Sequence, residues 1–314
     1  MLIAVTGANG FVGRRVVSRL ARDGHSVRAL SRKEMTDLPS GAQWLAAPDL
    51  GPGADWSAAI QGVDAVVHTA ARVHVMRDSG ADAEEKYIET NVLGTRAVAS
   101  AAAAAGAQRF IFISSIKASG EATPRDRPFT PDGHPTPEDA YGRSKLAAER
   151  VIQEIAQDSG MSAASIRPVV VFGPGNKGNF AAMARAIGRG LPLPLGAIDN
   201  RRSIVFVDNL ADLVATAILH NGPLPPVLLV RDSNDFSTPD LLRAVGAAMG
   251  RRPRIISIPP ALLSCLARAA GRAAIADRLL GSLTVDDSAT RDLLDWTPPY
   301  TTEAGLKETF ATAE

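Results

Sequence analysis

Tyr141 and Lys145 stand four residues apart in Tyr141-Gly-Arg-Ser-Lys145, at the start of a segment with helical patterning. Residues i and i+4 share one helix face, so this spacing sets an ammonium near a phenol. A cation there lowers the phenol pKa, and the pair reads as acid and base for a proton transfer. A Tyr/Lys pair at this spacing is common by chance and often marks only an exposed helix face. Its context makes it specific: Ser115 follows directly on the apolar run Arg109 to Ser114, and a glycine turn opens the chain.

That turn is Gly7-Ala8-Asn9-Gly10-Phe11-Val12-Gly13, between the apolar run Leu2 to Thr6 and a helical pattern from Arg14 to Arg22. Glycines permit a tight turn and close backbone approach, and the free N–H groups of the next helix favour an anion. At a strand-to-helix junction this predicts a pyrophosphate site, hence a dinucleotide, with Gly7, Asn9, Gly10, Phe11, Val12 and Gly13 as its cradle. No Lys-Ser or Lys-Thr pair follows Gly13, which argues against a mononucleotide P-loop. The second strand ends Leu30-Ser31-Arg32-Lys33 without a carboxylate. An acid there suits the NAD ribose and an arginine the NADP 2′-phosphate, so Ser31 and Arg32 favour NADP. NAD stays open, because Arg32 and Lys33 could equally be solvated surface charges.

These groups need a scaffold. The runs Leu2 to Thr6, Ser26 to Leu30, Ala65 to Thr69, Arg109 to Ser114 and Ser165 to Phe172 alternate with helical patterns. Short, nearly all-apolar strands in βαβ rhythm predict an α/β doubly wound parallel-sheet Rossmann fold, with further strands at Gln43 to Ala46 and Val227 to Val230. Glycines and prolines punctuate the chain after Phe172. The expected division is a dinucleotide-binding domain over 1–172 plus about 203–250, and a smaller, discontinuous C-terminal substrate lobe over about 173–202 plus 251–314. Ala101 to Ala105 reads as helix-forming filler before a packing face. Ala261 to Leu283 is apolar with scattered arginines and reads as a core or lid helix before a membrane-surface one.

The 314 residues carry 34 basic and 33 acidic side chains, a formal charge of +1, so no global field points to nucleic acid or an anionic membrane. A single cysteine, Cys265, excludes an intrachain disulfide framework and a cysteine-based zinc site, and no metal is expected. With no leader pattern before Leu2 and no long apolar run, a cytoplasmic protein is expected.

Together these motifs resemble the extended short-chain dehydrogenase/reductases, the nucleotide-sugar epimerase, dehydratase and reductase superfamily. The resemblance runs nearly end to end. It includes His68-Thr69-Ala70-Ala71, Asn91-Val-Leu-Gly94-Thr95, Arg167-Pro168, Phe172-Gly173-Pro174 and Leu294-Asp-Trp296-Thr-Pro298. It implies that Ser115 hydrogen-bonds the reacting sugar oxygen, Tyr141 exchanges its proton, and Lys145 also holds the nicotinamide ribose. It adds Ala70, Ala71 and Asn91 to the cofactor site. Asn179 is similar to a base-contacting asparagine, Arg202 to a diphosphate-gripping arginine, and Arg278 is a further diphosphate candidate. His74 could edge the site, although a solvated loop histidine is the plainer reading. The family's dimers imply a homodimer through the helices near Glu84 to Ala105 and Tyr141 to Ala156.

Sugar dehydratases of this superfamily carry an acidic pair after the Ser/Thr position, where this chain has Ile116 and Lys117, so dehydration is disfavoured. The expected activity is NADP-dependent reduction of the C4 ketone of a nucleotide-linked, UDP-type 6-deoxy amino sugar. The alternative is an NAD-dependent UDP-hexose or UDP-N-acetylhexosamine 4-epimerase. A non-catalytic cofactor-sensing module is a third reading, disfavoured because such relatives typically lose the Tyr/Lys pair.

Overall fold

The computed structural model describes residues 1–73, 81–176, 178–271, 277 and 279–311. From the N-terminus come β1 (Leu2–Thr6), α1 (Phe11–Arg22), β2 (Ser26–Ser31), β3 (Ala42–Ala46), the single turn α2 (Ser57–Ile60) and β4 (Ala65–His68). Next are α3 (Ala81–Tyr87), a π-helical stretch at Ile88–Leu93, α4 (Gly94–Ala104), β5 (Arg109–Ile113), α5 (Ala140–Ser159) and β6 (Ser162–Pro168). The remainder holds β7 (Val170–Phe172), α6 (Asn179–Gly188), β8 (Pro192–Leu193), β9 (Ile204–Phe206), α7 (Val207–Leu219), β10 (Val227–Val230), α8 (Thr238–Ala248) and β11 (Arg254–Ile255). It closes with α9 (Pro260–Ala269), α10 (Ser288–Leu294) and α11 (Thr302–Phe310).

Seven parallel strands form one sheet in the order β10-β6-β5-β4-β1-β2-β3. Every residue of β4 is buried, and so is β5 after its first residue, as helices on both faces require. On one face α1 and α7 bury Val16, Val17 and Leu20 with Leu210, Leu213 and Val214. On the other, α4 and α5 bury Val98, Ala99 and Ala102 with Ala148 and Ile152. The alanine stretch is therefore partly a packing face, because small side chains let α4 approach α5 closely. The strand order reverses between β1 and β4, which opens a crevice at their C-terminal ends.

The expected strand Ser165 to Phe172 is broken in two. Pro168 closes the β6–β10 register and has no N–H to extend it. The chain turns at Val169, and β7 pairs instead with β9 in a separate two-stranded parallel sheet. Around this ribbon Phe172, Phe180, Phe206, Leu242 and Leu306 form a third core, with Phe172 5.0 Å from Phe180 and 5.5 Å from Phe206, ring centre to ring centre. Helix α8, expected with the dinucleotide domain, thus packs beside α6 and α11. Buried Asp232 ties these pieces together, accepting from Phe206 N (3.1 Å), Asn209 Nδ2 (2.8 Å) and Thr302 Oγ1 (3.2 Å). Among the described residues of the segment 261–283, α9 is not a core helix, because none of its residues is buried.

Candidate active site

The glycine turn follows β1 into the crevice. Gly7 has φ +65°, and a Cβ there would lie 2.8 Å from Ala70 N. A Cβ on Gly13 would lie 2.2 Å from Gly7 O, so the helix start and the turn touch backbone to backbone. Gly10 caps α1 with no side chain, leaving the first-turn N–H groups to a ligand. Gly13→Ala should abolish dinucleotide binding in a fluorescence titration and lower the unfolding midpoint, because backbone cannot yield as a flexible side chain can. Binding within a few fold of wild type would refute this account of the turn.

A cavity of about 700 Å³ runs from this turn to the ends of β4 and β5. Its wall includes Gly7, Asn9, Gly10, Phe11, Val12 and Gly13, then Ser31, Arg32, Ala70 and Ala71, and finally Ser115, Tyr141 and Lys145. Residues as far apart in sequence as Gly7 and Lys145 thus share one space whose size and glycine-lined end suit an extended dinucleotide. A larger cleft of about 880 Å³ on the other side of the turn holds none of Ser115, Tyr141 and Lys145.

Ser115 caps a single turn of 3-10 helix, Ile116–Ala118, its Oγ accepting from Lys117 N at 3.3 Å. Its hydroxyl also hydrogen-bonds Tyr141. Burial pushes the Tyr141 phenol up to about 12; the Ser115 bond pulls it down, while Asp139 and Tyr87 push it further up. Lys145, buried on the next turn of α5, donates to Ile113 O at 2.8 Å and lies 4.3 Å from the Phe112 ring centre. Burial lowers it to about 7, with Glu149 opposing. Burial thus outweighs the expected depression of the Tyr141 pKa by Lys145. Desolvation weakens the ammonium itself, and its nitrogen lies 6.0 Å from the Tyr141 ring centre.

Several supports lie beyond the reach of motif reading. Asp139 caps α5 by accepting from Gly142 N at 2.7 Å and pairs with Lys117 Nζ at 2.5 Å; Lys117 also reaches Glu121 at 2.8 Å. Lys117 thereby holds the Ser115 turn against the start of the Tyr141 helix. Glu149 takes Arg167 in a buried fork, Nη2 to Oε2 at 2.6 Å and Nε to Oε1 at 3.0 Å. Ser114 Oγ donates to Glu149, and Arg167 Nη1 donates to Ser119 Oγ at 3.0 Å. His68 sits wholly buried between Thr6 Oγ1 (2.6 Å) and Thr95 Oγ1 (3.0 Å), and burial lowers its pKa to about 3, so it is neutral. Tyr87 meets Tyr141 edge-on at 6.0 Å, and the Arg72 guanidinium lies 5.7 Å above the Tyr87 ring.

Asn91 holds a different post from the expected one. It does not line the cavity: its oxygen accepts from Arg72 N (2.8 Å), and its amide donates to Arg72 O (3.0 Å) and Ser144 Oγ (3.0 Å). It locks the loop after β4 onto α5. Ser31 Oγ donates to Lys33 O at 2.6 Å and accepts from Trp44 Nε1 at 3.2 Å. Arg32 is exposed and lies 3.5 Å from Asp49 Oδ1, and Asp49 is itself part of the cavity wall. Sequence reading missed Asp49 because it follows β3, and only the pairing of β3 with β2 brings it to this rim. Asn179 is the exposed first residue of α6, outside the cavity wall. Arg202 also lies outside the wall. Its backbone pairs with Phe236, its guanidinium donates to Gly281 O at 3.0 Å, and burial lowers its pKa. His74 and Arg278 fall outside the described residues.

Fold and site define an extended short-chain dehydrogenase/reductase: a doubly wound sheet, a glycine turn at its switch point, and Ser, Tyr and Lys across the same cavity. Residues 3–229 match the NAD dependent epimerase/dehydratase family, and the chain belongs to it. It is 38% identical over 308 residues to UDP-glucose 4-epimerase of Vibrio cholerae, covering 98% of this chain and 94% of that one. Among solved structures it resembles UDP-N-acetylglucosamine 4-epimerase from Bacillus cereus (TM-score 0.79, 20% identity, 99% and 98% coverage). UDP-glucuronic acid 4-epimerase of the same organism, in complex with NAD, is as similar in fold (TM-score 0.79, 19% identity, 99% and 98% coverage). Among the described residues no helix is long and apolar enough to cross a membrane, and no three His, Cys, Asp or Glu side chains cluster as a metal site.

Proposed function

We propose that the protein is a UDP-hexose or UDP-N-acetylhexosamine 4-epimerase that retains NAD. The observation carrying this reading over the C4-ketone reductase is the 38% identity, over nearly the whole of both chains, to the Vibrio cholerae UDP-glucose 4-epimerase. The rim supports it independently. A carboxylate at Asp49, beside Arg32, suits the hydroxyls of an NAD ribose and opposes the 2′-phosphate of NADP. Lys117, occupied by Asp139 and Glu121, is not available as an elimination base.

NAD, when bound, supplies the hydride acceptor and donor for C4. Ser115 Oγ holds the C4 oxygen. Tyr141, as the phenolate that the positive nicotinamide of bound NAD would favour against the opposing effect of burial, takes the proton of the C4 hydroxyl as the ketone forms and returns it when the hydroxyl is restored, so the proton balance closes within one turnover. Lys145 holds the nicotinamide ribose. The core around Phe172, Phe180 and Phe206 belongs to the lobe that takes the nucleotide sugar, with Asn179, Arg202 and Arg278 as its polar candidates. A homodimer through α3 to α5 accords with the exposure of Ile88 and Leu93 there.

Purification without added nucleotide, followed by incubation with UDP-glucose and with UDP-N-acetylglucosamine, tests the reading. Co-purified NAD and formation of the C4 epimer without consumption of added NAD(P)H are expected. An empty site that prefers NADPH and reduces a UDP-4-keto sugar would return the assignment to the reductase.

Lys145 gives cofactor binding a pH dependence. Burial lowers its pKa to about 7, so the ammonium that complements the cofactor's charge is present below pH 7 and is lost above it. Binding above pH 7 must first take up a proton, so affinity of the stripped protein for NAD should fall by up to about tenfold per pH unit. Lys145→Met should bind weakly at every pH with a flat profile. An unchanged slope in that variant would rule Lys145 out as the source.

A further inference from the structure

Helix α9 is a ten-residue helix with no buried residue, although isolated helices of that length are marginal in water. Leu262 (49% exposed) and Leu266 (57% exposed), one turn apart on one face, point into solvent. Leu191 and Ile256, at the two ends of the β8–β11 ribbon that precedes α9 in the sequence, are exposed as well. The charge here is one-sided. Between Leu241 and Ala276 the sequence holds Arg243, Arg251, Arg252, Arg254, Arg268 and Arg272 and no Asp or Glu, although the whole chain has 34 basic residues to 33 acidic ones. Arg251, Arg252, Arg254 and Arg268 are exposed, as is Arg189 just before Leu191.

Leucines on one side of a short helix and the exposed arginines Arg251, Arg252, Arg254 and Arg268 on and before it select among the possible occupants. A second copy docked by two-fold symmetry would set arginines against arginines. A lid closed over the cavity would turn its leucines inward, and here they face water. An anionic bilayer satisfies both features: leucines enter the boundary of headgroups and acyl chains, and guanidiniums pair with lipid phosphates. We propose that α9 and the adjoining β8–β11 ribbon dock the protein on the surface of anionic phospholipid membranes, without spanning them. This is independent of which sugar the cavity takes.

Flotation of the purified full-length protein with phosphatidylcholine vesicles, and with vesicles also containing phosphatidylglycerol, tests the proposal. The protein should float only with the anionic vesicles and be released as salt rises. Leu262→Ser with Leu266→Ser, and separately Arg251→Glu with Arg252→Glu, should each weaken vesicle partition by about tenfold or more. Because all four residues are exposed and outside the cavity wall, the unfolding midpoint and turnover of soluble substrate should stay at wild-type values. Wild-type protein that stays off the anionic vesicles overturns the proposal, as do variants that float like wild type. A leucine variant that only changes the sedimenting mass would assign the face to a second copy, and one that only raises KM would assign it to a lid; either result also overturns membrane docking.

Discussion

Tyr141→Phe should lower kcat by about 10²–10⁴-fold, the range for loss of one general acid or base, and leave the NAD dissociation constant near that of wild type. The substitution removes one oxygen and keeps the ring, which is the part Tyr87 meets edge-on at 6.0 Å and over which Lys145 lies. Packing is therefore preserved. The lost group is the hydroxyl that hydrogen-bonds Ser115 and that burial pushes up to about 12. Ser115→Ala is the companion test: without the Ser115 bond that pulls the phenol down, the limb of the pH–rate profile belonging to Tyr141 should move to higher pH. Steady-state kinetics with a parallel cofactor titration checks both. Turnover of the Phe variant within a few fold of wild type would remove Tyr141 from the chemistry, whatever the substrate proves to be.

Truncating either partner of the Glu149–Arg167 pair should cost about 3–5 kcal/mol of stability, because the other charge is left buried and unpaired. The pair is nearly inaccessible, at 6% and 4% side-chain exposure, so solvent does little to screen it. Its loss also reaches the site. Glu149 accepts from Ser114, the neighbour of Ser115, and lies one turn beyond Lys145 on α5, so it fixes the strand end that carries Ser115 against the helix that carries Tyr141. Glu149→Ala and Arg167→Ala should each lower the urea midpoint and kcat together. Glu149→Leu combined with Arg167→Met should recover much of the stability, since apolar replacement of a buried pair is often neutral. Urea unfolding of the singles and the double closes the cycle; single variants costing under about 1 kcal/mol would show that the pair behaves like an exposed one.

Which parts of this protein the sequence determines follows from the range of the forces involved. Leu2–Thr6, Ala65–His68 and Arg109–Ile113 are legible as buried parallel strands because burial on both faces demands continuous apolar runs. The glycine turn is legible because the clash at Gly7 and Gly13 is backbone against backbone within a few residues or across one strand pair. Tyr141 and Lys145 share a helix face by spacing alone. Tertiary structure decides what depends on who lies opposite. It brings Asp49 to the cavity rim through the pairing of β3 with β2, and it ties the Asn91 side chain to the backbone of Arg72. It turns β7 away from the main sheet at Pro168 and leaves the leucines of α9 in water. It also sets the proton affinities, raising Tyr141 to about 12 and lowering Lys145 to about 7. Desolvation is a property of the packed surroundings, assembled from segments far apart in the chain, and spacing along the sequence carries no record of it.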